Sequence, residues 1–148
     1  MYTFWKRTSP PPSMTMFDAP DRETCRVRRS RTNTPLQALA LMNDVQFVEA
    51  ARKFAERVML EGGTGVDDRI AFAFRSVLAR RPGPGELMSL RRLFEASRSD
   101  FQRDPDAAAK FLSAGEAPRN PSLGVGELAA WTMAAHLLLN LSETVTKG

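Results

Sequence analysis

Five arginines fall within ten residues of the stretch RETCRVRRSRTNTPLQAL, Arg22 to Leu39, just ahead of a Thr34-Pro35 pair that has the form of a helix start. Arg28, Arg29 and Arg31 beside a helix opened by Thr34 are the ingredients of an anion site. Guanidinium forks and free first-turn N–H groups together hold sulfate, phosphate or carboxylate, including the groups of an acidic polysaccharide. The same residues also support a bracing role. Asp18, Asp21 and Glu23 precede the arginines closely, and extended chain without a sheet partner needs side chains to satisfy its backbone. Bracing is the favoured reading. A nucleic-acid arm is disfavoured, because the aromatics precede the basic run and do not interleave with it.

The other chemistry-bearing residues are sparse. Asp18 and Asp21 in FDAPDRE could pair for acid–base work or a hard cation, but two carboxylates fall short of a ligand set, and Asp-Ala-Pro-Asp is turn-forming sequence. Cys25 sits among arginines that would lower a thiol pKa; a nucleophile also needs a base, and the one histidine, His136, is far away in sequence. A buried, inert cysteine is expected. A single cysteine forms no internal disulfide, and no Cys-x-x-Cys-His haem attachment or metal-ligand spacing is present. Trp5 and Trp131 read as core anchors. ARRPGPGE lacks the lysine and the strand-to-helix setting of a phosphate loop.

The elements that must position these groups are helices. Thr34, Pro35 and Gln37 form a capping box for a short helix to about Met42. Asn43 or Asp44 caps a second helix to Leu60 with a buried stripe of Phe47, Ala51, Phe54 and Val58. Asp67 caps a third, with Ile70, Ala73, Phe74, Val77 and Leu78 on one face. Pro84 and Glu86 open a long helix to about Arg103, Asp104-Pro105 opens a short one closed by Gly115, and ELAAWTMAAHLLLNLSE is the last, with Leu128, Trp131, Ala135, Leu138 and Ser142 on one face. No stretch alternates with period two, so the fold expected is all-α: an irregular helical bundle over residues 34–148. Residues 1–33, with Pro10, Pro11, Pro12 and Pro20, are expected to be an extended segment anchored on the helices by Tyr2, Phe4, Trp5, Met14, Met16 and Phe17.

Charge sharpens this division. At 43% apolar and 26% charged the chain of 148 residues has the composition of a globular domain, yet its sequence pI is about 9.8. Residues 1–35 carry seven Lys/Arg against three acids, and the remainder is balanced at fourteen of each. The net +4 therefore belongs wholly to the N-terminal segment, which rules out the helical body as a broad phosphate-tracking surface. No stretch reaches the ~18 apolar residues of a membrane span. The opening YTFWKRTSPPP has no signal-peptide pattern and is expected to be the interior of a longer protein.

YTFWKRTSPPPSMTMFDAPDRETCRVRRSRTNTPLQALALMNDVQFVEAARKFAERV, followed by RIAFAFRSVLARRPGPGEL and GELAAWTMAAHLLLNLSETVTKG, closely resembles the C-terminal part of the planctomycete PSD domain, a family of unknown function found downstream of planctomycete cytochrome-c-like (PSCyt) domains. The resemblance implies an exported, periplasmic or cell-surface multidomain parent with covalent haem in an upstream module and none in this chain. Its implied partners are those upstream domains, and it brings no established catalytic residues. Relatives often have proline where this chain has Val45, and an aspartate where it has Ser142. The functional expectation is an accessory or structural module; the alternative is an anion-binding half-site on Arg28 to Thr34. Asp18, Asp21, Cys25, Gln37, Asn43 and Asp44 are the further polar candidates, and no metal is expected.

Overall fold

The computed structural model describes Lys6, Ser9, residues 10–20, Cys25, Val27, Arg28, Thr32 and residues 34–145. Among these residues there are eight helices and no strand, an all-α fold. The chain divides into two compact units, Met1–Leu41 and Met42–Gly148, and the division falls within a helix, C-terminal to the boundary expected at 33/34. The anchors Tyr2, Phe4 and Trp5 lie outside the described residues.

In the first unit, Pro12–Met16 forms a single helical turn, α1, where extended chain was expected. Pro12 stands at the first helical position, where its missing N–H costs nothing. The turn closes with Asp18 left-handed (φ 58°): the Asp18 N–H donates to Thr15 O at 3.3 Å and the Ala19 N–H to Met14 O at 2.9 Å. This is the paired-bond termination that usually uses glycine, with aspartate among the few residues that tolerate it. The FDAPD turn thus ends a helix. α2, Pro35–Asn43, begins where the capping box places it.

The second unit is built around α7, Val125–Leu139, which packs against α3 (Val45–Glu61), α5 (Pro84–Arg103), α6 (Pro105–Leu112) and α4 (Val66–Leu78). One apolar face was expected for α7. Instead Leu128, Ala129, Ala130, Trp131, Thr132, Ala134, Ala135 and Leu138 are all buried, because neighbours surround the helix and its alanines let them approach. Thr132 tolerates this position by returning its hydroxyl to Leu128 O at 2.7 Å. Phe94 packs against Trp131 with centroids 4.4 Å apart and the rings tilted by 32°, and Ala51, Ala55, Val58, Ile70, Phe74 and Leu90 complete the centre. Phe47 and Phe54, expected in the α3 stripe, are half-buried, and Ala55 and Met59 take the inner positions.

Two caps differ from expectation. Gly65, not Asp67, is the N-cap of α4, and Asp67 sits in its first turn, paired with Arg91 on α5. α4 ends on Ala79 in the left-handed region (φ 56°), a conformation that costs a residue with a Cβ roughly 1–2 kcal/mol. Ala79→Gly is therefore expected to stabilise the fold by about 1 kcal/mol, the relief exceeding glycine's extra entropy in the unfolded chain. Chemical denaturation of the two proteins checks it.

Arg80 closes the bundle at the last helix, α8 (Ser142–Val145). It makes two bonds to Glu86 (2.7 and 2.8 Å) and two to Glu143 (2.6 and 2.8 Å). Bonds from Arg80 and from the N–H of Gly83, the N-cap of α5, lower the Glu86 pKa from 4.5 to about 2. A depressed carboxylate contributes stability that is complete above its unfolded value and lost as pH falls through the folded one. The denaturation midpoint should therefore drop between about pH 4.5 and 2. Glu86→Gln should flatten that drop and leave stability below pH 2 unchanged.

Candidate functional site

The first unit assembles four of the polar side chains that flank the arginine run. Gln37, 4% exposed, is their centre. Its Oε1 accepts the Thr34 N–H at 3.0 Å, while its own N–H donates to Thr34 Oγ1 at 3.3 Å, so the capping box is complete. Its Nε2 donates to Met16 O, at the end of α1, at 2.8 Å and to Thr32 Oγ1 at 2.9 Å. Thr32 in turn presents its N–H and hydroxyl to the Asp18 carboxylate at 2.7 to 2.9 Å. Among the described residues Asp18 takes its bonds from Thr32, and those bonds hold its pKa below the usual carboxylate value; of the arginines expected to brace it, Arg22, Arg26, Arg29 and Arg31 lie outside the described residues. The hub joins α1, its left-handed terminus, Thr32 and α2 through side-chain bonds to one another and to the backbone.

This arrangement leaves little for a ligand at the start of α2. Pro35 has no N–H, the Gln37 N–H is used by Thr34, and the Ala38 N–H by Thr34 O. Among the described residues the Leu36 amide is the one first-turn donor of α2 without a bond. Anion capture at a helix N-terminus depends on several such donors.

Arg28 is exposed, and Cys25 is exposed as a free thiol, contrary to the buried cysteine expected. Val27, two positions on, is itself fully exposed. Asp21, Glu23, Arg29 and Arg31 lie outside the described residues. Asp44 caps α3 by accepting the Gln46 N–H at 2.9 Å, and Asn43 is the last residue of α2. Val45 takes the first position of α3, where proline is well accommodated, so the helix break survives without one. His136 is half-buried on α7. Among the described residues no three His, Cys, Asp or Glu side chains are grouped to hold a metal ion, and no helix is long and apolar enough to cross a membrane.

Sequence reasoning missed a second polar set, on α3. Glu49, Arg52, Lys53 and Glu56 stand at i, i+3, i+4 and i+7, one face of the helix, and this face grips the loop after α6. Glu49 accepts the N–H groups of Glu116 and Ala117, both at 2.9 Å, which lowers its pKa. Arg52, 2% exposed, donates through Nη2 to Ala117 O (2.6 Å) and Ala114 O (3.4 Å), and its Nη1 lies 3.5 Å from Glu56. Lys53 donates to Pro118 O at 2.6 Å, and Glu56 accepts the Asn120 N–H at 3.1 Å. Gly115 (φ 90°) is required twice over: its dihedral favours glycine, and any Cβ there would overlap the Glu49 carboxylate. The available signal was the loop itself, EAPRNPSLGVG, whose backbone groups need partners and have no regular structure to supply them.

Both sets bond mainly to one another or to the backbone, and among the described residues neither holds a nucleophile bonded to a base. The family model for PSD1, a protein of unknown function (DUF1553), matches residues 1–94, from the N-terminal unit into α5. The chain belongs to the PSD1 family. The C-terminal resemblance read from GELAAWTMAAHLLLNLSETVTKG lies beyond the matched stretch. No curated protein and no solved structure matches this chain.

Proposed function

We propose that this PSD1 chain is a non-catalytic accessory module of a larger exported protein, in which the arginine-rich segment is a brace and the helical unit a packing platform. One observation carries the reading. Gln37, buried at the end of the candidate segment, spends its side-chain amide on Thr34, Met16 and Thr32, and Thr32 spends its donors on Asp18. A binding site keeps such groups poised for a ligand; a brace commits them to the chain. Export and an upstream cytochrome-c-like partner come from the resemblance to planctomycete PSD domains, and any covalent haem belongs to that partner.

The test uses the full chain. Titration with sulfate, phosphate and a sulfated polysaccharide at constant ionic strength should shift the melting temperature equally in the wild type and in Arg28→Ala. A shift confined to the wild type, or hydrolysis of a panel of chromogenic esters, phosphates or glycosides abolished by Arg28→Ala, would overturn the reading.

A further inference from the structure

Along α4, Asp68, Phe72 and Arg75 recur at i, i+4 and i+7, one stripe of the helix. They line an open concavity of about 600 Å³ whose other wall includes Leu87 of α5 and whose far rim is Arg81-Pro82 of the loop between the two helices. The stripe is polarised. Asp68 lies in the first turn of α4, the half-buried Phe72, whose ring also carries the Arg57 guanidinium 5.6 Å from its centroid, and Leu87 form the floor, and Arg75 and Arg81 stand at the opposite end, about 10 Å along the axis from Asp68.

The three charged groups are also uncommitted. Of the charges around the concavity, Glu61, which also lines it, is paired with Arg57, and Arg80 is held by two glutamates; farther off Arg69 pairs with Glu127 and Arg91 with Asp67. Among the described residues no ion pair or side-chain hydrogen bond forms at Asp68, Arg75 or Arg81, and all three are exposed. Arg81 is held in place without being used: Arg80, fixed by Glu86 and Glu143, donates to Arg81 O at 3.2 Å. One end of the groove is therefore preorganised through the backbone, leaving the Arg81 guanidinium open.

We propose that this groove docks an extended peptide segment of a partner protein, a basic side chain facing Asp68, an apolar one on Phe72 and Leu87, and a carboxylate between Arg75 and Arg81. In an extended chain residues i, i+2 and i+4 share one face and span about 13 Å, a separation that long side chains close to the groove's own. Acid at one end and two guanidinium groups at the other select a bipolar peptide over a uniformly charged one. The inference rests on the accessory-module reading only in giving the module a partner, and it does not involve the Gln37 hub.

The experiment is a titration of the isotope-labelled full chain with the capped peptide Lys-Gly-Leu-Gly-Glu, followed by amide chemical shifts. Saturable shifts confined to residues 61–87 are expected, with binding about tenfold weaker in the Arg75→Glu/Arg81→Glu double variant and about threefold weaker in Arg75→Gln/Arg81→Gln. Lys-Gly-Leu-Gly-Lys and Glu-Gly-Leu-Gly-Glu should each bind at least fivefold more weakly than the mixed peptide. Absence of saturable shifts, equal affinity for all three peptides, or unchanged affinity in both double variants would overturn the proposal. So would shifts at the same residues that grow with protein concentration alone, since they would assign the groove to a second copy. A failed titration leaves the anion test of the brace unaffected, which keeps the two readings separable.

Discussion

Arg52→Ala should cost the helical unit about 3 kcal/mol, an effect out of proportion to a residue that reads in sequence as part of a solvated helix face. Three losses combine. Ala114 O and Ala117 O lose their donor, Glu56 loses the nearby guanidinium, and the long stem leaves a void where the residue was 2% exposed. Glu56 keeps Lys53 at 2.9 Å and the Asn120 N–H, which prevents a larger cost. Arg52→Met retains most of the volume and removes a buried charge whose Nε has no hydrogen-bond partner, so its cost should be nearer 1 kcal/mol. Urea denaturation followed by tryptophan fluorescence separates the two. An Arg52→Ala variant within 0.5 kcal/mol of wild type (roughly the scatter of neutral surface substitutions) would show that the loop after α6 does not depend on this grip.

Gln37→Ala should lower the free energy of opening the first unit by about 2 kcal/mol, the cost of stranding partners at a partly buried site. Four bonds involve this side chain or its cap, and three of the partners belong to different stretches of chain: Thr34 at the helix start, Thr32 before it, and Met16 at the end of α1. Gln37→Glu is expected to be at least as damaging. It keeps an acceptor for the Thr34 N–H but removes both donors and adds a carboxylate close to that of Asp18. Amide exchange at Ala38 reads the effect, about 30-fold faster for 2 kcal/mol.

How much of this was legible follows from what each residue's signal is. Gln37 three positions after Thr34 announces a capping box, and the periodicities of α4 and α5 fix their inward faces at Ile70, Phe74, Leu90 and Phe94. Helix α1 was not legible, because five residues are too few to show a period and Pro10-Pro11-Pro12 reads as extended chain. The reach of Gln37 to Met16, and of Asp18 to Thr32, is tertiary; spacing along the chain gives no warning of it. Arg52 and Glu56 were hidden for a different reason: charged residues at helical spacing look alike whether they face water or a backbone with unpaired carbonyls. The burial of α7 on nearly all sides was foreshadowed by its alanines, which show that a helix can be approached closely but not by how many neighbours.

Amide exchange at Ala19 in the Gln37→Ala variant tests most directly whether the segment ahead of α2 is a brace. The Ala19 N–H is bonded to Met14 O and lies eighteen residues from the substitution, so a purely local loss of the α2 cap would not reach it. The brace predicts that exchange at Ala19 and at Ala38 accelerates together and by a similar factor. Acceleration at Ala38 with Ala19 unchanged would contradict it.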